Sequence, residues 1–450
     1  MEILALLQHL SPNIENTTIR QLSRIIPALL AMTGRVTMLG ISRWTEKGGS
    51  YRTVQRFFHT VISWAALFWL FFQRHLLQAD DTYLLAGDEC VVTKAGKKTH
   101  GLDRFFSSVY GKCVPSLAFF ALSLVSVSER RSYPMMFEQV VRTAQEKAQV
   151  KAKVEAKKAK KKQKTTGKPG RPKGKKTRDK TKVTLTQELT RIQTMVNKLL
   201  AHIGHVLEIG YLVMDGKFGN NNALQMVRQS GLHLISKLRR DSALYFRFDG
   251  PYAGRGHPRK YGDKVDCDNI PTRHLKTRKL EKGIQTDIYQ AEMLHKEFAQ
   301  ALNVVIIVKT NLKTGARARV ILFSSDLQLT HEQIIDYYSL RFQIEFNFRD
   351  AKQYWGLEDF MNVKETAVTN AANLSLFMVN VAHLLLRDFR TENSNVNVLD
   401  LKAHFRGRKY VTETLKWLPK KPKPILMARI IDKVSQLGRV HNPLPTYFPS

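Results

Sequence analysis

The chain has 450 residues and a formal net charge of +34, from 72 Lys or Arg against 38 Asp or Glu. A chain of this length can bury a sizeable core, and such a charge points to a polyanion, either nucleic acid or an anionic membrane surface. The most apolar run, residues 64–72, is too short to span a bilayer, which needs about 20 residues, and reads as a buried helix. No secretory signal is expected, because the first residues lack a basic segment and a cleavage site. The cysteines are too far apart for a disulfide framework or a zinc knuckle and suit a reducing cytosol: Cys90, Cys113 and Cys267.

Residues 1–78 carry short helical patterns separated by glycine turns. Ser50 is a candidate N-cap for a helix over 50–59 that presents Arg52 and Arg56 on one side. Short helices that end in a basic helix are typical of helix-turn-helix-like DNA binding. We therefore predict a helical DNA-binding domain over 1–78, with a plain helical bundle as the alternative.

From residue 82 the periodicity changes to that of strands. A short apolar strand over 83–87 is predicted to place Asp88 at its carboxyl end, and residues 91–94 are expected to continue the strand. Two further strands are predicted over 105–110 and 116–127, and the second is apolar enough for a central strand. The expected arrangement is a three-stranded meander with an aspartate in its first strand.

Residues 151–182 contain sixteen Lys or Arg and two acidic residues, so this stretch cannot bury a core. We predict a disordered or partly helical Lys-rich insert over 141–184. Its centre resembles an AT-hook, in which an extended Gly-Arg-Pro core inserts an arginine into a narrow minor groove. Arg171 is then the inserted side chain and Lys173 an adjacent DNA contact. Nonspecific binding to phosphates is the alternative.

The next strand ends in Asp215, after a predicted helix over 185–207 and before a glycine-rich turn. A strand-end aspartate often only caps the following helix, so capping is the structural alternative to catalysis here. Residues 239–325 are predicted to be a β-rich insertion. Its basic loop contains Arg255, which either contacts DNA or is simply solvated.

A capping-box pattern at Thr330 begins the next predicted helix. The spacing places four polar side chains on one face of a single helix whose remaining positions are largely apolar: Tyr338, Arg341, Glu345 and Lys352. A carboxylate held between cations on an apolar body can bind a divalent metal, and the cations can meet phosphates. The alternative is a helix with a few exposed charges. An apolar helix over 368–385 is expected to pack behind it, followed by a basic C-terminal region over 391–450.

Asp88, Asp215 and Glu345 thus form a candidate set of three carboxylates on apolar elements. Such groups repel one another unless a cation lies between them. Two Mg²⁺ ions about 3.5–4 Å apart would remove the repulsion and drive phosphoryl transfer. The sequence has no Cys/His cluster for zinc, no P-loop and no G-x-S-x-G motif.

At these residues the sequence resembles the DDE transposases of bacterial insertion sequences, in the branch with the signature Y-x2-R-x3-E-x6-K. The signature is matched at every step by Tyr338, Arg341, Glu345 and Lys352. The segment Asp215-Gly216-Lys217-Phe218 matches the family's Asp-x-x-Phe, and Asp88 stands at the first carboxylate. The resemblance covers about residues 80–390.

The resemblance implies an α/β fold with a ribonuclease H-like mixed-sheet catalytic core over 79–390. The Lys-rich insert and the β-rich insertion would interrupt this core, and the α-helical DNA-binding domain would precede it. Some relatives stack a flipped base on a tryptophan of the β-rich insertion, whereas 239–325 contains no tryptophan here.

The resemblance also implies Mg²⁺-dependent DNA cleavage at the element's ends and strand transfer to target DNA, with two ions and with Mn²⁺ as a possible substitute. Tyr338, Arg341 and Lys352 would hold phosphates of the DNA ends. The expected partners are terminal inverted repeats, target DNA and a second copy of the chain in a synaptic dimer, with no membrane. The expected location is the bacterial cytoplasm, at the nucleoid. Two alternatives stay open: a non-catalytic DNA-binding protein descended from a transposase, and a structure-specific nuclease on the same fold.

Overall fold

A computed structural model describes residues 3–10, 14–46, 48–107, 109–148, 152, 155–156, 179–252, 254, 257–391, 394–420 and 422–441. Helices are numbered in chain order as α1 (Ile3–Gln8), α2 (Asn16–Ala31), α3 (Met38–Trp44), α4 (Tyr51–His59), α5 (Trp64–His75), α6 (Gln187–Ile203), α7 (Asn221–Gln229), α8 (His331–Leu340), α9 (Gln343–Tyr354), α10 (Glu365–Arg390), α11 (Val398–Leu415) and α12 (Pro424–Ser435). Strands are β1 (Tyr83–Thr93), β2 (Asp103–Ser107), β3 (Lys112–Ser126), β4 (Arg131–Gln139), β5 (Tyr211–Met214), β6 (His233–Leu238), β7 (Leu244–Arg247), β8 (Tyr261–Lys264), β9 (Leu275–Glu281), β10 (Ile284–His295), β11 (Leu302–Asn311) and β12 (Arg317–Ser324).

The strands of the described residues form one twelve-stranded mixed sheet in the order β2-β3-β1-β5-β6-β12-β11-β10-β7-β8, with β4 paired to β3 and β9 to β10. Only β1, β5 and β6 are parallel neighbours among these pairs. Parallel strands need crossover connections, and α6 and α7 lie in the connections that lead into β5 and β6. The predicted α/β class with a mixed-sheet core is confirmed.

The first strand continues past Asp88 as predicted, because β1 pairs with β3 from Tyr83 to Thr93 without interruption, and Asp88 lies within it rather than at its carboxyl end. The predicted three-stranded meander was wrong, because β1 pairs with β3 and the strand order is β2-β3-β1. A fourth strand, β4, follows the predicted three. Its Pro134 pairs with Ser123 of β3, directly next to a register shift between Leu122 and Ser123.

The β-rich insertion extends the central sheet, because its last strand, β12, pairs antiparallel with β6. Strands β11 and β10 continue the ladder outward from β12. The carboxyl end of β6 therefore lies at the same end of the strands as the β11–β12 and β9–β10 turns, and the β10–β11 turn lies at the opposite end.

Helix α10 forms the centre of the core behind the sheet. By length and composition it could cross a membrane, but 89% of its apolar window is buried inside the protein. Asn373 and Asn380 donate to the carbonyls of Phe137 and Pro134, which anchors the helix to β4. These contacts are those of a core helix in a globular protein.

The N-terminal helices pack into this same core. Phe377 of α10 contacts the rings of Trp64, Phe68 and Phe71. The segment predicted as a basic C-terminal region contains α11 and α12, and Lys402 of α11 donates to the carbonyl of Leu29 at 2.6 Å. Residues 1–78 are helical as predicted, but the domain boundaries themselves stay predictions.

Candidate active site

Two of the three candidate carboxylates are neighbours because β1 and β5 are parallel and in register. Gly87 pairs with Met214, so Asp88 and Asp215 follow directly on adjacent strands. Directly paired residues point to the same face of a sheet. The strand pairing therefore brings together two side chains that are 127 positions apart in the sequence.

A tight turn fixes Asp215. Its Oδ1 accepts from the Lys217 amide at 3.2 Å, and its carbonyl accepts from the Ser236 hydroxyl at 2.8 Å. Gly219 is required in this turn, since a Cβ there would lie 2.2 Å from the carbonyl oxygen of Lys237. Asn220, and not Asp215, caps α7. The capping alternative therefore applies only to the short 3-10 turn Gly216–Phe218.

The third carboxylate, Glu345, lies on α9. The prediction of a single helix through this region was wrong, because α8 ends at Leu340 and α9 begins at Gln343. Both intervening residues keep helical angles, but hydrogen bonds between residues three apart replace those of an α-helix: Phe342 to Ser339, Ile344 to Arg341 and Glu345 to Phe342. The tightened turn places Arg341 and Glu345 over the same part of the sheet.

Arg341 connects the carboxylates of two elements. Its Nη1 lies 2.6 Å from Asp88 Oδ2 and its Nη2 lies 3.3 Å from Glu345 Oε1. The side chain of Arg341 is 13% exposed, against 21% for Asp88 and 42% for Glu345. Its Nε is buried and has no hydrogen-bond partner within the described part of the chain. A cation thus lies between two of the three carboxylates.

The charges in this site are strongly coupled. Burial raises the pKa of Asp88, the guanidinium of Arg341 lowers it, and repulsion from Asp215 and Glu345 raises it further. The net shift is upward. The negative charge of Asp88 is therefore costly unless a cation is nearby.

The three carboxylates line one cavity of about 1210 Å³ together with Arg341 and Lys352. As they are placed, no three His, Cys, Asp or Glu side chains of the described residues are grouped closely enough to hold a metal ion. The donor set nevertheless fits Mg²⁺, which prefers carboxylate oxygens. Binding would require the guanidinium of Arg341 to leave Asp88 and Glu345.

The other two signature residues flank this centre. The ring of Tyr338 faces the guanidinium of Arg341 at 6.0 Å, and burial raises the pKa of its hydroxyl, as do Asp215 and Asp88. Lys352 donates to the carbonyl of Val91 at 2.9 Å and pairs with Glu358 at 3.2 Å. Both lie beside the carboxylates, and their roles stay predictions.

Sequence reasoning missed a second charge network on the cavity wall. Lys217 pairs with Glu89 at 3.1 Å and with Glu188 at 2.7 Å. Burial lowers the pKa of Lys217, but the two carboxylates outweigh it and the net shift is upward. The only feature of the sequence that could have indicated this network is the position of Lys217, two residues after Asp215.

The remaining predicted DNA contacts are separate from the cavity. Arg52 and Arg56 are exposed on α4, which Ser50 caps as predicted by accepting from the Thr53 amide. Neither arginine is among the residues that line the cavity. Arg171, Lys173 and Arg255 lie outside the described residues.

The sheet has parallel strands β1, β5 and β6, helices packed against it, and an acidic centre formed by Asp88 within β1 and Asp215 just after β5. This arrangement is a ribonuclease H-like core. The sequence matches the family described as DDE superfamily endonuclease over residues 6–293, more than half of the chain. The protein therefore belongs to this family. A search of curated proteins finds no match.

Family membership establishes an endonuclease of the DDE superfamily, which acts on DNA and generally uses divalent metal ions such as Mg²⁺. The matched segment contains Asp88 and Asp215 but ends before Glu345. The assignment of Glu345 as the third carboxylate thus rests on the signature spacing and on the geometry of the cavity.

Proposed function

We propose that the protein is a transposase that cuts DNA at the ends of an insertion sequence and joins the freed ends to target DNA. The observation that carries this proposal is the convergence of Asp88, Asp215 and Glu345 on one cavity. The Y-x2-R-x3-E-x6-K spacing supports the choice of a transposase among DDE endonucleases. The protein would act in the bacterial cytoplasm, at the nucleoid and away from the membrane.

Asp88, Asp215 and Glu345 would hold two divalent ions. When bound, such ions lower the pKa of an attacking water and stabilise the leaving oxygen of a phosphodiester. The chain's own cations would then bind the DNA. Arg341 would exchange its carboxylate partners for a phosphate, with Lys352 and Tyr338 beside it.

The exposed side of α4, with Arg52 and Arg56, would bind the DNA of the element's ends, and Arg171, Lys173 and Arg255 would add contacts. Two copies of the chain would hold two DNA ends and the target. The Lys-rich insert would add affinity for phosphates.

The test uses full-length protein, Mg²⁺ or Mn²⁺, and a duplex that carries the DNA flanking the gene. Asp88→Ala, Asp215→Ala and Glu345→Ala should each reduce cleavage at least 1000-fold. The matched control is Glu89→Gln, because this neighbouring carboxylate lines the same cavity but pairs with Lys217. It should cut within about tenfold of the wild type.

Three results would contradict the proposal in distinguishable ways. Retained cleavage in any of the three alanine variants would remove that residue from the catalytic set. Cleavage without joining would point to a nuclease, and salt-sensitive DNA binding without cleavage would point to a non-catalytic DNA-binding protein.

A further inference from the structure

The face of the sheet that carries Asp88 and Asp215 continues across the β-rich region. The parallel register of β5 and β6 places Lys237 beside Asp215. Lys237 pairs with Leu322 of β12, and Leu322 pairs with Val305 of β11. Because directly paired residues share a face, this row extends the carboxylate face over three further strands.

Two lysines lie on this face near the edge of the sheet. Lys309 is four residues after Val305, an even step that keeps it on the same face. Lys309 pairs with Thr286 of β10, and Thr286 pairs with Lys279 of β9. Both lysines are exposed. They form a row across the outer strands on the carboxylate side.

The two faces differ in how their cations are paired. On the opposite face Arg278 binds Asp287 at 2.6 Å, and Arg317 and Arg319 each lie 3.8 Å from Asp268. On the carboxylate face, no carboxylate of the described residues lies within 4.0 Å of the ammonium of Lys279 or Lys309. The positive charge of these lysines is therefore available to an external anion.

We propose that Lys237, Lys309 and Lys279 form a basic track that binds the backbone of the duplex flanking the scissile phosphodiester. The inference rests on the proposed function, because it takes the carboxylates as the cutting centre. Strand spacings of about 4.8 Å and residue steps of about 3.3 Å place Lys309 and Lys279 roughly 20 and 27 Å from Asp215. At about 3.4 Å per nucleotide, they meet the backbone roughly six to eight nucleotides from the cut.

The experiment measures DNA affinity as a function of KCl concentration, with full-length protein in a Glu345→Gln background that keeps the DNA intact. The probe is a fluorescent duplex that carries the DNA flanking the gene. Each lost phosphate contact should reduce the slope of log K against log salt by about one. We expect that reduction for Lys309→Gln and for Lys279→Gln, and about two for the double variant.

The matched control is Arg317→Gln, which removes the same charge from the neighbouring strand but on the opposite face. Its slope should stay that of the background protein. An unchanged slope in the lysine variants, or an equal loss in Arg317→Gln, would overturn the track. The wild-type protein could fail to cut DNA while the lysine variants still lower the salt slope and Arg317→Gln does not. That result would support the basic track and contradict the proposed function.

Discussion

Arg341 determines whether the carboxylates of the candidate site are paired with a guanidinium or free to bind a metal ion. Its guanidinium neutralises Asp88 and Glu345, at 2.6 and 3.3 Å, in a cavity where their charges would otherwise repel. The same oxygens are the ones that a divalent ion would need. Arg341 and the metal are therefore competitors for two of the three carboxylates, and DNA phosphate offers the guanidinium another partner.

From this competition we predict that Arg341→Gln binds Mn²⁺ more tightly than the wild type in the absence of DNA. Removing a cation that must be displaced should lower the Kd by about tenfold, as measured by isothermal titration calorimetry or by the Mn²⁺ resonance signal. Lys352→Gln is the control, because its ammonium lines the cavity but contacts Val91 and Glu358. Equal or weaker Mn²⁺ binding by Arg341→Gln would show that the guanidinium does not compete with the metal.

The sequence could not choose the first carboxylate by position alone, because Asp80, Asp81 and Glu89 lie close to Asp88. The strand resolves this choice geometrically. Asp81 lies near the opposite end of β1 and accepts from the Ser128 amide at 3.1 Å. Glu89 alternates to the other face and pairs with Lys217. Only strand pairing, which a single sequence does not contain, separates these acids.

At the scale of elements, periodicity located the helix of the signature but not its interruption. The break occurs at Arg341 and Phe342, so neither a glycine nor a proline marks it in the sequence. The break is visible only in the backbone, where bonds between residues three apart replace the α-helical ones. Similarly, the capping box at Thr330 was predictable because it is local, and it is present.

Asn370 is one of the side chains that join the N-terminal helices to the core. Asn370 of α10 donates to the carbonyls of Phe57, Phe58 and Thr60 at 3.2, 3.0 and 2.7 Å. It also accepts from the indole of Trp64 at 2.8 Å. These carbonyls belong to the end of α4, where the last carbonyls of a helix have no α-helical partner, although that of Phe57 also accepts from the Thr60 amide. Asn370 therefore holds a helix end against the core.

Replacing Asn370 by Leu should destabilise the protein by about 3 to 5 kcal/mol, because several buried polar groups lose their partner at about 1–3 kcal/mol each. The measurement is the urea concentration at the midpoint of denaturation, followed by tryptophan fluorescence. Thr366→Leu, one turn earlier on α10 and only half-buried, controls for the effect of leucine on the helix. If both variants unfold at the same urea concentration, the clamp contributes nothing measurable.

For the whole molecule, the sequence predicts a separate N-terminal domain, and the structure provides a reason to test that boundary. Apolar periodicity identifies each helix but not its partner, so the packing of α5 against α10 could not be foreseen. The rings of Trp64, Phe68 and Phe71 surround Phe377, and all four are nearly or fully buried. Rings of this size bury about 150–250 Å² each, at about 25 cal/mol per Å².

A chain of residues 79–450 should therefore fail to form a compact core. Losing three such rings removes on the order of 15 kcal/mol of apolar burial, which equals or exceeds the net stability of most domains. We expect weak near-UV circular dichroism, binding of a hydrophobic dye and rapid proteolysis. The control is residues 1–420, which lacks α12, where Ser435 is the one buried residue described. This shorter chain should keep a native-like spectrum, whereas a native spectrum and DNA cleavage by 79–450 would establish an independent catalytic domain.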